Sequence, residues 1–313
     1  MLRSGFRIAN VAAHSRSFVC RHLARRSFTI AIDGPAASGK SSTARAVAQE
    51  LGFGYIDSGS IYRCATLLAQ RNAFADLDSK QVDELALLMD QASVDIRVRP
   101  ANNCQNQSLG RLAVPEVQII LNGEDVSDDI RTPEVNRMVA KVAGESKIRN
   151  TVLHIQRRLA KNAETKPTSG SVDGSEALPG GVVMDGRDIG TTIFPSAELK
   201  IYLDASAMAR AIRRWDEMNN RMKALSAKKN AESETASATA GSQETVSYPS
   251  VEEIARELEA RDYADINRQH SPLRIASDAV VIDNTNLTFE QQVYNIADLA
   301  RERMGLKPKH ADI

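Results

Sequence analysis

The sequence feature that most restricts the fold is a glycine-rich stretch directly after an apolar segment. Residues 34–41 read GPAASGKS, which fits the pattern GxxxxGK[ST], and they follow FTIAID at 28–33. Such a loop surrounds phosphate oxygens with amide groups, while Lys40 adds a cation and the Ser41 hydroxyl can bind Mg²⁺. A helix predicted over 42–51 directs its positive end to the same anion. The residues predicted to bind a nucleoside triphosphate are Gly34, Pro35, Ala36, Ala37, Ser38, Gly39, Lys40, Ser41 and Ser42.

Five short apolar runs recur along the chain, and each ends in an acidic residue or a glycine. They are FTIAID (28–33), FGYID (53–57), VVMDG (182–186), LKIYLD (199–204) and AVVID (279–283). Helix-compatible segments lie between them, and this alternation predicts a five-stranded parallel sheet flanked by helices. The predicted fold class is therefore α/β.

About 125 residues separate the second run from the third, too many for a simple crossover. Within them, the segment SVDIRVR (93–99) alternates as a strand with one exposed face does, and an Asn-Gly pair at 122–123 indicates a hairpin turn. We predict a small antiparallel sheet with helices over 81–160, inserted into a core formed by 28–80 and 181–305.

Two polar segments show no apolar periodicity. Residues 161–180 and 224–250 are rich in Ser, Thr, Ala, Gly and Glu. Such segments cannot bury enough surface to offset the entropy lost on ordering. We therefore predict a flexible loop at 161–180 and a disordered insertion at 224–250.

The first 28 residues differ in charge from the rest of the chain, since they hold six arginines and no acidic residue. This composition is typical of a mitochondrial presequence. We predict a targeting segment over 1–27 that the import machinery recognises, and hence a matrix location, with a cytoplasmic location as the alternative. A disordered basic arm that contacts RNA or a membrane is another interpretation of the segment.

Composition excludes several classes of protein and partner. Of the 313 residues, 42% are hydrophobic and 26% are charged, as in an ordinary globular protein, and 40 basic residues balance 40 acidic ones. Without the N-terminal segment, 34 basic residues face 40 acidic ones, which argues against a nucleic-acid polymer as partner. No window of 18 residues is apolar and uncharged, so no membrane-spanning helix is expected. Three cysteines without CxxC spacing disfavour a zinc site or a disulfide framework.

Two groups of arginine and aspartate follow predicted strands. DSGSIYR (57–63) follows the second run and DGRD (185–188) follows the third, at the edge where open parallel sheets bind ligands. Asp185 stands where an acid would orient Mg²⁺ or its water. A helix cap explains the first group and a structural Asp–Arg pair explains the second, and both of these alternatives stay open.

A third group lies on a predicted helix that begins at Val251, where Ser250 and Glu253 form a capping-box pattern. One face of this helix begins apolar and then becomes charged. Its residues are Ile254, Leu258, Arg261, Asp265 and Arg268. Charged side chains that continue a core-facing stripe need paired charge or a ligand, because unpaired burial is expensive. A solvated network of i,i+4 ion pairs is the alternative.

The many arginines suit a reaction between two phosphorylated nucleotides. ATP and a nucleoside monophosphate together bring about six negative charges into one cleft. Guanidinium groups match phosphate oxygens bidentately and stay protonated. A phosphate acceptor is already a nucleophile, and these groups contain no obvious His or Glu that would act as a base. The pattern therefore favours a phosphate acceptor over a hydroxyl acceptor.

Taken together, these motifs resemble those of the bacterial-type cytidylate kinases, which phosphorylate CMP and dCMP. Five segments carry the resemblance in family order, namely IAIDGPAASGKSS (30–42), YIDSGSIYR (55–63), LNGEDVSDDIRTPEV (121–135), VMDGRDIGTTIFPSAELKIYLDAS (183–206) and ARDYADINRQHSPL (260–273). The resemblance implies a P-loop NTPase core of the adenylate kinase type, an inserted domain that binds the nucleoside monophosphate (NMP), and a mobile lid over 208–265. It also implies a monomer that uses ATP with Mg²⁺.

The resemblance further implies roles for individual residues. The catalytic residues would be Lys40, Arg187, Arg213 and Arg261, and Arg213, Arg214 and Arg261 would belong to the lid and close over the ATP phosphates. Ser41 and Asp185 would hold Mg²⁺. The CMP-binding residues would be Ser58, Arg63, Arg149, Arg187, Asp188, Asp265 and Arg268. Among these, Arg149 and Asp188 would read the cytosine, Asp265 would hold the ribose and Arg268 the acceptor phosphate.

Two positions depart from the family pattern. Ala140 falls where the family usually has a base-contacting serine, and Ala264 falls where a lid arginine is common. Two other functions stay open: a P-loop kinase of another small molecule, such as UMP, AMP or a shikimate-like compound, and a nucleotide-binding module without transferase activity. A GTP switch is disfavoured because the chain has no NKxD segment.

Overall fold

A computed structural model describes residues 27–99, 112–164, 178, 180–233 and 249–310. The predicted targeting segment lies outside these residues, apart from residue 27. Most of the two predicted polar insertions lies outside them as well.

Eight strands form two sheets within the described residues. In chain order they are β1 (Phe28–Asp33), β2 (Gly54–Asp57), β3 (Val94–Arg99), β4 (Glu116–Leu121), β5 (Glu124–Asp125), β6 (Gly181–Gly186), β7 (Leu199–Asp204) and β8 (Val280–Asp283). The larger sheet has the order β2-β6-β1-β7-β8, and every neighbouring pair in it is parallel. The predicted five-stranded parallel sheet is therefore confirmed. Because β1 lies in its middle, the glycine-rich loop leaves the centre of the sheet.

The α-helices of the described ranges are α1 (Lys40–Leu51), α2 (Ser58–Arg71), α3 (Ser79–Gln91), α4 (Pro133–Gly144), α5 (Ser146–Glu164), α6 (Ala207–Ser233), α7 (Val251–Asn267) and α8 (Phe289–Arg303). Helix α1 begins two residues before the predicted start. Helix α7 begins at Val251 as predicted, and Ser250 and Glu253 form both hydrogen bonds of the capping box. In the described part of the chain, no helix combines the length and apolar character that crossing a bilayer requires.

Apolar side chains cover both faces of the parallel sheet, as buried parallel strands require. On one face, Ile32 of β1 belongs to a buried cluster with Val47 of α1 and Ile296 of α8. On the other face, Met184 of β6 belongs to a second cluster with Ile61 of α2. That second cluster continues into α3, β4 and α5, so the insert and the core share one continuous apolar interior.

The smaller sheet lies within the predicted insert and is antiparallel, with the order β3-β4-β5. Between β4 and β5, Asn122 and Gly123 have φ values of 53° and 87°. Two consecutive positive φ values are those of a tight hairpin turn, which explains the Asn-Gly pair. The predicted antiparallel sheet and its turn are confirmed, whereas the domain limits at 81 and 160 stay a prediction.

Two predictions of irregular structure were wrong at their N-terminal ends. Helix α5 continues to Glu164 and so covers the first four residues of 161–180, and α6 continues to Ser233 and covers the first ten of 224–250. The second extension reads ALSAKKNAES, which is rich in strong helix formers and contains neither Gly nor Pro. The helix propensity of these residues is therefore enough to continue α6, although the segment has no apolar stripe.

Candidate active site

The glycine-rich loop packs closely against the end of β7. A Cβ atom on Gly34 would lie 2.2 Å from the carbonyl oxygen of Leu203, so only glycine fits there. Gly39 ends the loop in the left-handed conformation, with φ 83°, and α1 begins at Lys40. The Lys40 Nζ atom is buried and donates a hydrogen bond to the carbonyl oxygen of Pro35 at 2.8 Å. The ammonium group is therefore held by the loop itself.

Gly34→Ala is expected to lower the free energy of unfolding by about 1–3 kcal/mol, because the added methyl group overpacks the contact with Leu203. Urea unfolding followed by circular dichroism measures the change. Gly144→Ala at the end of α4 is the matched control, since no atom beyond its chain neighbours and the backbone of its own helix lies within 4 Å of its Cβ position. A loss for Gly34→Ala no larger than for Gly144→Ala would contradict the close approach.

Lys40 shares its surroundings with two arginines. Burial and the charges of Arg187 and Arg261 together lower the pKa of Lys40 to about 7, although Asp185 opposes the change. Burial and Arg187 also lower the pKa of Arg261. These cations repel one another, so an anion that lies between them is strongly favoured.

Binding of a nucleoside triphosphate is expected to take up a proton above pH 7. Lys40 loses its proton near this pH in the free protein, and bound phosphates raise its pKa again. Affinity should therefore fall as the pH rises from about 7 to about 9. Calorimetry in two buffers of different ionisation enthalpy counts the protons. If a Lys40→Met variant took up as many protons on binding the nucleotide as the wild type does, a group other than Lys40 would be responsible.

A buried carboxylate lies beside the loop at the end of β6. Asp185 accepts hydrogen bonds from the Ser41 hydroxyl at 2.6 Å and from the Tyr55 hydroxyl at 2.7 Å. Burial and Asp57 raise the pKa of Asp185 to about 6, although Lys40 and both hydrogen bonds oppose this. A bound cation would stabilise the ionised carboxylate.

The oxygen atoms of Ser41 and Asp185 fit Mg²⁺, which binds through one or two protein oxygens together with phosphate and water. The described residues contain no group of three or more His, Cys, Asp or Glu side chains placed to hold a metal ion. A site of this kind would therefore depend on the bound nucleotide for its remaining ligands.

A buried ion pair joins the insert to the core. The Arg149 guanidinium of α5 contacts the Asp188 carboxylate that follows β6, and their side chains are only 7% and 5% exposed. The same guanidinium lies 5.4 Å from the ring centroid of Tyr62. Arg268 lies 3.6 Å from the other Asp188 oxygen. The guanidinium groups of Arg149 and Arg268 therefore converge on the Asp188 carboxylate.

The charged end of α7 meets the segment after β6, as the stripe on this helix suggested. Arg187 Nε donates to Asp265 at 2.8 Å, and Arg268 lies 3.7 Å from the same carboxylate. Burial alone would raise the pKa of Asp265, but Arg187 and Arg268 lower it overall. The structure thus pairs these charges with one another rather than leaving them as a solvated network.

Ser58 and Arg63 lie in the first two turns of α2 and face the insert. The buried Ser58 hydroxyl accepts a hydrogen bond from the Gln156 amide at 2.9 Å. Arg63 donates to the side chain of Asn136 at 2.6 Å and to a backbone carbonyl at 3.1 Å. Helices α4 and α5 therefore hold both predicted CMP-binding residues in place.

Three other arginines lie near Arg63. Burial lowers the pKa of Arg63, and so do the charges of Arg261, Arg131 and Arg214. Arg214 also pairs at 3.2 Å with Glu217 on the surface of α6. The sequence analysis did not single out Arg131, although it lies inside a segment that carried the resemblance.

Arg213 does not lie with the arginines that surround Arg63. Its guanidinium donates to the Asn284 carbonyl at 2.7 Å and to the Asn284 side chain at 2.9 Å. Burial lowers the pKa of Arg213, and Asp283 is the charge that opposes this. Asn284 in turn donates to the Ser38 carbonyl at 2.8 Å. Arg213 therefore reaches the phosphate loop only through Asn284, because it leaves α6 toward the end of β8.

Asp33 is a site-shaping residue that the sequence analysis missed. Its buried carboxylate accepts hydrogen bonds from the amides of Ile189 and Gly190, both at 2.8 Å, and so holds the segment after Asp188. Burial raises the pKa of Asp33 to about 6. The acid at the end of the first run was visible, but its partners lie more than 150 residues away.

Comparisons with known proteins identify the family to which this chain belongs. A family model described as cytidylate kinase matches residues 30–168, 175–237 and 226–302. The chain belongs to the cytidylate kinase family. The matched ranges contain the phosphate-binding loop and all three Arg/Asp groups.

Curated cytidylate kinases are similar over most of their length. That of Lactobacillus johnsonii is 34% identical over 274 residues, which are 88% of this chain and 94% of the relative. That of Flavobacterium psychrophilum is also 34% identical, over 88% of this chain and 98% of the relative. The match to the solved structure of TT1252 from Thermus thermophilus covers 88% of this chain and 98% of that one, at 15% identity and with a TM-score of 0.35.

The two departures from the family pattern lie on exposed positions of α4 and α7. Ala140 and Ala264 offer methyl groups where hydroxyl and guanidinium groups are usual, so neither can donate a hydrogen bond to a base or a phosphate.

Proposed function

We propose that the chain transfers the terminal phosphate of ATP to CMP and dCMP and so forms CDP and dCDP. The observation that carries the proposal is the gathering of Lys40, Arg187 and Arg261 beside the phosphate-binding loop, where their charges repel one another. An arrangement of this kind is unfavourable alone and becomes favourable when phosphate groups lie within it.

On the acceptor side, Asp188 accepts a hydrogen bond from the cytosine N4 amine, and Arg149 donates to O2 and N3. Asp265 holds the ribose, while Ser58, Arg63, Arg187 and Arg268 bind the phosphate of CMP. Support comes from the contacts that join several of these residues: Asp265 lies 2.8 Å from Arg187 and 3.7 Å from Arg268, and Arg268 lies 3.6 Å from Asp188.

On the donor side, the loop amides, Lys40 and Arg214 bind ATP. Helices α6 and α7, which we call the helical arm, close over its phosphates and exclude water that would hydrolyse it. Arg261 already lies near Lys40, whereas Arg213 has to leave Asn284 before it reaches a phosphate. The proposed role of Arg213 therefore requires the arm to move.

The reaction needs charge stabilisation rather than a catalytic base. The phosphate of CMP is a nucleophile in its dianionic form, and Arg63 and Arg268 orient it for in-line attack. Lys40, Arg187 and Arg261 stabilise the charge that spreads over the transferred group. Mg²⁺ at Ser41 and Asp185 would neutralise negative charge on the ATP phosphates.

A panel of acceptors tests the proposal on the full chain with ATP and Mg²⁺. We expect kcat/KM for CMP and dCMP to exceed that for UMP by about 100-fold or more, because UMP has a carbonyl where the N4 amine must donate to Asp188. A coupled assay for ADP gives the rates. Faster turnover of UMP, AMP or shikimate than of CMP and dCMP would overturn the assignment.

We also propose that residues 1–27 are a targeting segment that the import machinery carries into the mitochondrial matrix, and that the protein works as a monomer. The six arginines and the absence of acidic residues support the first point. A fluorescent fusion of these residues should locate to mitochondria in cells. Diffuse cytosolic fluorescence would contradict the mitochondrial location and favour the cytoplasmic one.

A further inference from the structure

The peptide group of Ala36, in the middle of the phosphate-binding loop, is held from both sides by the helical arm. Its amide N–H donates to the Asp262 carboxylate at 3.0 Å, and its carbonyl oxygen accepts from Arg210 Nη1 at 2.9 Å. The same two side chains form an ion pair at 2.6 Å. Asp262 comes from α7 and Arg210 from α6, so both helices of the arm meet on one residue of the loop.

This contact is buried and continues into apolar packing. Arg210 is 5% exposed and Asp262 is 9% exposed. Ala36 packs with Ala211 of α6 and with Ile254 and Leu258 of α7 in a small separate cluster. A buried ion pair is retained only where its partners are well satisfied, because breaking it leaves an unpaired charge. The position of the arm and the shape of the loop are therefore coupled at Ala36.

Neither residue contributes to the roles proposed above. Arg210 also donates to the Ala205 carbonyl at 3.0 Å, which ties it to the start of α6. Asp262 lies beside Arg261 in sequence but on another face of α7. Arg210 uses Nε and Nη1 on protein groups, and Asp262 uses both carboxylate oxygens, so we assign them to the loop rather than to a ligand.

We infer that Arg210 and Asp262 are positioning residues that fix the Ala36 peptide and thereby set the phosphate-binding loop for the donor nucleotide. The inference rests on the proposed function only in that the loop binds the phosphates of ATP. Coupling is reciprocal, so a nucleotide on the loop also strengthens the attachment of the arm. Loss of the ion pair weakens donor binding and leaves binding of CMP largely unchanged.

Asp262→Ala and Asp262→Asn in the full-length protein test the inference. The alanine variant removes the acceptor for the Ala36 amide and the partner of Arg210, whereas the asparagine variant keeps a neutral acceptor. Calorimetric titration with MgADP measures donor binding without turnover. Trp215, the single tryptophan of the chain, lies on α6 five residues after Arg210 and reports on the arm by its fluorescence.

We expect the Kd for MgADP to rise about tenfold or more in Asp262→Ala and by a smaller factor in Asp262→Asn, with the KM for CMP within about twofold of the wild type. Asp278→Ala is the matched control, since it breaks a 2.8 Å contact with the buried Lys200 elsewhere in the core. That control should bind MgADP as the wild type does.

Wild-type MgADP affinity in a folded Asp262→Ala protein would overturn the inference. Equal losses of donor and CMP binding in both Asp262 variants would also overturn it, because they would show a general structural role. If the alanine variant does not fold, the same comparison of MgADP binding with the KM for CMP is made with Asp262→Asn and Arg210→Lys. The titration does not depend on CMP turnover, so its failure is distinguishable from failure of the proposed function.

Discussion

Lys40→Met is expected to lower kcat/KM for phosphate transfer from ATP by about 1,000-fold or more. Methionine keeps the length of the buried side chain but removes the ammonium group that the loop holds against the Pro35 carbonyl at 2.8 Å. The lost charge acts mainly on the transition state, in which negative charge spreads over the transferred group. The KM for CMP should therefore change little while kcat collapses.

Lys200→Met provides a matched control for this experiment. Lys200 is also a buried lysine that donates to the carbonyl oxygen of a proline five residues earlier, at 2.6 Å from Pro195. It lies on β7 and pairs with Asp278 rather than with the charges of the site. We expect this variant to lose stability and to keep most of its turnover. Similar losses of kcat in both variants would mean that burial of the lysine, rather than its place in the loop, matters.

Arg149→Met is expected to have the second largest effect, on both stability and acceptor use. It leaves the Asp188 carboxylate, which is only 5% exposed, without its main partner. Removing one member of a buried ion pair typically lowers the free energy of unfolding by about 3–5 kcal/mol. The cytosine would also lose its donor to O2 and N3, so kcat/KM for CMP should fall by about 100-fold or more.

The double variant Arg149→Met with Asp188→Asn separates these two effects. It removes both charges, so the protein should regain much of the stability that Arg149→Met loses, while activity on CMP stays low. Urea unfolding and the coupled assay on the four proteins of the cycle give the numbers. Recovery of CMP activity together with stability would contradict the assignment of this pair to the base.

The parallel sheet could be predicted because its information is local. Each strand of the parallel sheet coincides with a short apolar run in the sequence, and the loop motif follows directly after β1. The start of α7 was also predictable, since a capping box involves only Ser250 and its neighbour three residues on. The charged face of α7 could be predicted from helical periodicity. In the structure, Asp265 on this face pairs with Arg187.

Contacts between distant segments could not be predicted in the same way. Asp262 was overlooked because it lies off the face defined by Arg261, Asp265 and Arg268, and nothing in its neighbourhood indicates Ala36 as its partner. Asp33 likewise finds its two amides far along the chain. The resemblance assigned both Arg213 and Arg214 to the lid, yet successive residues of a helix point about 100° apart, and the two guanidinium groups contact Asn284 and Glu217 respectively.

The measurement that tests the central claim most directly follows the label from [γ-³²P]ATP in the presence of CMP and Mg²⁺. The account predicts that the label appears in CDP as fast as ADP forms, that dCMP gives labelled dCDP, and that Lys40→Met transfers almost none. Release of the label as inorganic phosphate without CDP, or its faster appearance in UDP than in CDP, would contradict the account.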